Sequence, residues 1–315
     1  MPVSIHSAKF TPRHWAVYVL LCAIWGSTWL AISVAVRYLP PFGSAALRFL
    51  VAAVILAVFA VVAKLNWPRT TAEWKPVLVL SVTMMAFPYG LLFWAEQHVT
   101  GGMAAVLNSN IPIMVALINP LMGGPMPKRR SLLAMVIALG AVAYIFQAQL
   151  SASPKAVVGG AAILLCAASS AFSAIYARRH HGLHPAVSTC LQLAVGSVIL
   201  FIVSFIAESG AEWHWTRPAI IAMAHLAFFG SAVAFAAYYW LLRQVEASQA
   251  STIALIVPLV AIYLDAALLQ VRIPITMIFA SLIVIGSVGV VLKPEPSDPI
   301  ALELKSETVA AEDTL

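Results

Sequence analysis

Ten stretches of the chain stay apolar for about the length that crosses a bilayer, roughly 20 residues as a helix. They lie at roughly 14–36, 42–63, 75–96, 102–122, 131–148, 157–177, 185–207, 217–241, 248–269 and 274–292. Short clusters of Pro, Gly and charge separate them, among them "RYLPP", "KLNWPRTTAEWK", "GGPMPKRR", "ARRHHGLHP" and "SGAEWHWTRP". The alternation predicts an all-α polytopic membrane protein with ten transmembrane helices. Polar residues inside the runs are few, so "NSNIP" (Asn108 to Pro112) stands out in an otherwise apolar segment. Residues 293–315 hold two lysines and six acids without a spanning pattern, which predicts a disordered tail.

Composition agrees with the pattern. Of 315 residues, 62% are hydrophobic and 10% charged, with a mean hydropathy of +0.94. Soluble domains carry about 25% charged residues to wet their surface. The first run is as long as a full span and has no small-residue cleavage site behind it, so a retained helix is expected. The three cysteines, Cys22, Cys166 and Cys190, all fall in apolar runs and form no CxxC or Cys/His spacing. Neither a metal site nor a disulfide framework is indicated.

Basic residues set the orientation, because Lys and Arg accumulate in cytoplasmic loops. With the N-terminus in the cytoplasm, the inner side holds Lys9, Arg13, Lys64, Arg69, Lys75, Lys128, Arg129, Arg130, Arg178, Arg179, Arg243, Lys293 and Lys305. The outer side holds Arg37, Lys155, Arg217 and Arg272. Both termini are therefore expected in the cytoplasm of a cell whose inner membrane the chain spans. The basic balance then reflects loops, and no nucleic-acid partner is implied.

The chain also repeats. Residues 93–146 align with 239–292 at a constant offset: Trp94 on Trp240, Val99 on Val245, Ala104 on Ala250, Pro112 on Pro258, Gly140 on Gly286 and Val142 on Val288. The first helices align at a slightly smaller offset, Cys22 on Cys166 and Pro41 on Pro185. Two halves result, 14–148 and 157–292. Five spans per half is an odd number, so the second half enters the membrane upside down. Inverted repeats are a signature of secondary transporters, with the solute site near mid-membrane between the halves.

These residues carry a resemblance. "IWGSTWLAISVAVRYLPPFGSAALRFL", with Trp25-Gly26-Ser27-Thr28 in helix 1 and Arg48-Phe49 opening helix 2, resembles EamA-type members of the drug/metabolite transporter superfamily. "AEQHVTGGMAAVLNSNIPIMVAL" and "ASQASTIALIVPLVAIYL" are similar to that family's helix 3–4 and helix 8–9 junctions. The resemblance covers about 15–292 and implies ten helices, two EamA repeats, peripheral helices 5 and 10, and export of small metabolites such as amino acids or drugs. One departure is visible. The family often has Gly-Glu after helices 4 and 9, where this chain has Gly124-Pro125 and Gln270-Val271.

Polar or aromatic positions present in one half only are the better candidates for a site. Trp25 and Trp29 are four apart and share a helix face. Their counterparts are Ser169 and Ser173, also four apart. Facing each other, the pairs would line a cavity with one aromatic and one small polar wall, suited to a cationic or amphipathic solute. The alternative is plain helix packing by small residues. Pro112 and Pro258 are alike in both halves and are expected to kink their helices, freeing the carbonyls of Asn108 and Ala254. Asn108 shares a face with Pro112 and is assigned to the cavity. Asn110, about 200° away, is assigned to an interhelical hydrogen bond.

Few charges lie within the spans. Arg48 sits about 10 Å below the outer surface at 1.5 Å per residue, and Asp265 lies at a similar depth. They form a candidate outer gate, with Glu96 at an outer helix end as a further proton site. Arg48 aligns with neutral Gln192, so its charge is one-sided. The alternative is that Arg48 reaches the headgroups and Asp265 meets Arg272. His180, His181 and His184 read as a basic cytoplasmic loop rather than a metal site. No Walker A, HExxH or GxSxG pattern occurs, so neither ATP drive nor a catalytic residue is indicated, and no cofactor is implied. The expected function is secondary transport, exporting a small-molecule solute by alternating access, with protons as candidate coupling ions and lipid as the surrounding partner. The competing class is an intramembrane enzyme or lipid-handling protein using the same cavity.

Overall fold

A computed structural model describes residues 10–99, 104, 107–145, 154–180, 182–269 and 275–292. The 293–315 tail, His181, Gln270, Val271 and Arg272 lie outside the described residues. All regular structure among the described residues is helical. The ten helical segments are α1 (Pro12–Tyr38), α2 (Pro41–Val62), α3 (Thr71–Ala95), α4 (Ile111–Leu121), α5 (Arg129–Ile145), α6 (Pro154–Arg179), α7 (Pro185–Ala207), α8 (Arg217–Gln244), α9 (Ile253–Leu269, led in by Ala247–Ser251) and α10 (Ile275–Leu292). Six of them, α1, α2, α3, α6, α7 and α8, contain stretches long and apolar enough to cross a bilayer outright. Shorter apolar helices occupy the fourth, ninth and tenth spans.

Proline starts many of these helices, since its missing N–H is no loss in a first turn. Pro12, Pro41, Pro185 and Pro218 all stand there. Thr11 and His14 close a reciprocal cap on α1, and Thr70 with Glu73 does so on α3. Polar residues within α1 are neutralised locally: Ser27, Thr28 and Ser33 return their hydroxyls to carbonyls three residues back.

Packing repeats with the halves exchanged. Helix α2 runs along its counterpart α7, and α5 along α10. Helix α1 packs on α8 and α9, and α6 correspondingly on α3 and α4. Such an exchange is what a pseudo-twofold axis between the halves produces. The two halves approach closely at Gly26. A Cβ there would lie 2.5 Å from the Val260 Cβ, so α1 and α9 meet backbone to side chain, as small residues permit in membranes. Gly26→Leu should therefore cost about 1–3 kcal/mol by overpacking, read as a lower melting temperature of detergent-solubilised protein.

Two features depart from ten simple rods. Helices α3 and α8 each contain a π-helical turn, Ser81–Ala86 and Phe228–Val233. Such a turn rotates the remainder of its helix and loosens backbone pairing, and π turns concentrate at functional sites. The fourth span is also broken. Ser109 and Asn110 form a turn, and α4 restarts at Ile111 with Pro112 in its first turn. Pro112 thus opens a helix and does not kink one, whereas Pro258 lies inside α9 as expected. The carbonyl that Pro258 frees, at Ala254, accepts from the Ser109 hydroxyl at 3.0 Å. The break in one half therefore repairs the backbone of the other.

Candidate functional site

Three helices from each half converge on a central cavity of about 110 Å³. The six are α1, α3, the α4 entry, α6, α8 and the α9 entry, each present with its counterpart. The cavity therefore lies between the two halves. Trp25, Trp29, Tyr89, Phe235 and Tyr238 form its aromatic wall. Thr28, Asn108, Ser170 and Ser251 supply the polar positions. Trp25 meets Tyr238 and Phe235 edge to face, with ring centroids 5.1 and 5.9 Å apart. Its indole Nε1–H is buried and has no acceptor among the described residues.

Of the residues expected at the site, Trp25, Trp29 and Asn108 line this cavity. The expected serine wall is not formed. Ser169 donates to the Thr83 carbonyl at 2.5 Å, and Ser173 bonds the Thr83 hydroxyl at 2.7 Å. Both serve the π turn of α3, whose loosened backbone offers that carbonyl. Ser170, one position round the helix, lines the cavity instead. Gln192 also points elsewhere: it accepts from the Tyr239 hydroxyl at 2.5 Å and donates to Ser188 at 2.8 Å. Asn110 bonds the Leu107 carbonyl at 3.0 Å within its own turn, not another helix.

Arg48 is 1% exposed and stands behind the cavity wall, not in it and not at the headgroups. Its Nε donates to Ser231 at 3.0 Å and its Nη2 to the Gly230 carbonyl at 3.3 Å, both on the π turn of α8. Its guanidinium carbon lies 5.3, 5.1 and 5.6 Å from the ring centroids of Phe49, Tyr89 and Phe93. One cavity-lining ring, Tyr89, therefore separates this cation from the central space. Glu96 ends α3 on the same side, its carboxyl oxygens buried and without a hydrogen-bond partner among the described residues. The side chain of Asp265, and with it the expected pairing with Arg48, lies outside the described residues.

The two ends of the cavity differ. A second recess, about 310 Å³, opens where α3 and α7 begin and α6 and α8 end, with Glu73, Arg179, His180, Ser188, Tyr239 and Arg243 on its walls. It is the larger space, but the paired aromatic wall belongs to the central cavity, and we place the site there. Along α3 the order is Leu80 in the recess, Thr83, then Met84 in the cavity; along α6 it is Ala177, Ser173, then Ser170. The Thr83–Ser169–Ser173 contacts thus form a polar layer between the two spaces. At the opposite end, the Glu208 carboxylate accepts from the N–H groups of Phe42 and Gly43 at 2.8 and 2.9 Å and from Ser204 at 2.6 Å. It caps α2 from the other half, where helix-end N–H groups favour an anion. The His214 N–H donates to the Tyr38 carbonyl at 2.9 Å and covers the same end.

The histidine loop is structural where it is described. His184 Nδ1 accepts from the Ala186 N–H at the start of α7, and His180 stacks on Tyr176 at 4.1 Å. An intramembrane histidine that patterning does not single out, His225, bonds Ser27 at 2.9 Å between α8 and α1.

The sequence profile of the EamA-like transporter family matches residues 13–147 and again 157–293. The "Uncharacterized inner membrane transporter YedA" of Escherichia coli (strain K12) is 30% identical over 267 residues, 82% of this chain and 84% of that protein. The "Uncharacterized transporter YoaV" of Bacillus subtilis (strain 168) is 26% identical over 266 residues, 83% of this chain and 90% of that one. A solved crystal structure superimposes with a TM-score of 0.74 at 14% identity, covering 89% of this chain and 97% of the other, a likeness of fold alone. The double profile match spans nearly every helix described above, and the chain belongs to the EamA-like transporter family: it is a multi-pass membrane transporter.

Proposed function

We propose that this transporter exports a small metabolite, an amino acid or drug-like solute, across the cytoplasmic membrane by alternating access. The observation that carries the reading is the central cavity between the two halves, walled by their exchanged helices. A site so placed can be reached from either side by rocking one half against the other. With both termini in the cytoplasm and the halves inverted, the larger recess is the inner vestibule and the Glu208 cap is the outer seal. The aromatic wall suits an ammonium or an apolar side chain, while Asn108 and the Trp25 N–H suit a carboxylate or carbonyl.

Counterflow in sealed proteoliposomes, competed by amino acids and by organic cations, tests this. Saturable exchange with a defined competitor set is expected. Turnover of a lipid or solute by detergent-purified protein without exchange would support an intramembrane enzyme instead. Within that assay, Asn108→Ala should raise the half-saturating concentration about tenfold, the worth of one lost hydrogen bond of ~1.4 kcal/mol. Asn110→Ala should leave it unchanged, because its amide is already used in the turn. The reverse result would put the binding face on the other side of the helix.

A further inference from the structure

The proton-binding group is a separate question, and buried polar atoms without partners point to it. Both Glu96 carboxyl oxygens and the Arg48 Nη1 are buried and lack hydrogen bonds among the described residues. The two groups interact electrostatically, yet no ion pair joins them. Tyr89, Phe93 and Glu96 are spaced four and three apart, so they share one face of α3. Arg48 rests on the first two rings of that face, one turn short of the carboxyl. An ionised carboxylate buried without donors is costly, and a neutral acid much less so. Glu96 also ends its helix, where the dipole disfavours negative charge.

We propose that Glu96 is a proton-binding site whose protonation decides whether it pairs with Arg48, and that this exchange couples protons to solute movement. The coupling rests on the transport reading above. In the arrangement described, Glu96 carries its proton, and Arg48 is held by Ser231, the Gly230 carbonyl and three rings. When the proton leaves to water, the carboxylate takes the unused N–H of Arg48. The guanidinium is then drawn from Tyr89 and from the α8 π turn. Tyr89 and Gly230 thus connect the pair to the cavity wall and to the other half. Among the described residues, the ionisable groups around the pair are Tyr89 on α3, with Cys166 on α6 behind it, His225 on α8, and His98 two residues past Glu96.

Two readouts on the full-length protein in lipid test this without knowing the solute. Infrared difference spectra across a pH step should show the C=O band of a buried protonated carboxyl, lost in Glu96→Gln. Glu96→Asp, which keeps a titrating acid, should shift the band and serves if the glutamine variant fails to fold. The second readout is the ratio of thiol labelling of a Ser170→Cys reporter from the two membrane faces. It should change with pH by up to about tenfold per unit, the limit for one proton, and be flat with Glu96→Gln. Identical spectra in wild type and variant overturn the proton site. A band with a pH-independent ratio overturns the coupling. Labelling from one face only at every pH, with the band intact, sinks alternating access and leaves the proton site standing.

Discussion

Arg48→Ala should be the most damaging single loss of charge in the molecule. It should abolish counterflow and lower the melting temperature of the purified protein sharply. The side chain is buried among three rings and ties α2 to the π turn of α8 through Ser231 and Gly230. Each cation–π contact in a desolvated setting is worth about 0.5–2 kcal/mol. Removing one member of a buried polar cluster typically costs about 3–5 kcal/mol, since its partners stay buried without it. Arg48→Lys should fall between, keeping the charge but losing the planar fork that reaches both Ser231 and Gly230. A melting temperature unchanged in Arg48→Ala would mean that this cluster does not hold the halves together.

Trp25→Phe should weaken solute binding about tenfold while leaving the fold as stable as before. The asymmetry comes from the indole N–H, which is buried in the cavity wall and has no acceptor among the described residues. A donor that gains its first partner from the solute contributes roughly 1–1.5 kcal/mol to binding. Deleting it leaves nothing else unpaired, so stability should hold or rise slightly. The phenyl ring keeps the edge contacts with Phe235 and Tyr238. Trp25→Ala should lose those contacts too, and both affinity and stability should fall. The half-saturating concentration in counterflow and the melting temperature separate the two effects. Equal affinity in wild type and Trp25→Phe would remove Trp25 from the binding surface.

Much of this arrangement is legible in the chain. Run lengths predict the ten spans, and the four-residue spacings of Trp25 with Trp29 and of Asn108 with Pro112 pick out faces on which Trp25, Trp29 and Asn108 line the cavity. The serines mark the limit of such patterning. The offset pairs Trp25 with Ser169, but Ser169 is taken by the Thr83 carbonyl on the π turn of α3 and Ser173 by the Thr83 hydroxyl, so Ser170 faces the cavity. A π turn has no pattern that hydrophobic periodicity can detect. Tyr89, Phe235 and Tyr238 are illegible for another reason: an aromatic residue in an apolar run looks the same whether it fills a core or lines a cavity. Glu208 is separated from Phe42 by 166 positions, and only the folded pairing of α2 with α7 reveals it as a cap. Ser109 is the converse case. The sequence marks the carbonyl that Pro258 frees, and the fold supplies the hydroxyl that answers it.

If the transporter works by alternating access, one cavity is exposed to the two sides of the membrane in turn. Ser170→Cys, in a chain whose Cys22, Cys166 and Cys190 are replaced by alanine, puts a single thiol on the wall of that cavity. A membrane-impermeant thiol reagent can then be applied to vesicles from one face at a time, with and without saturating solute from the counterflow screen. Labelling from each face is predicted, with solute shifting the balance between them in opposite directions. Labelling from one face only, under every condition, would contradict alternating access.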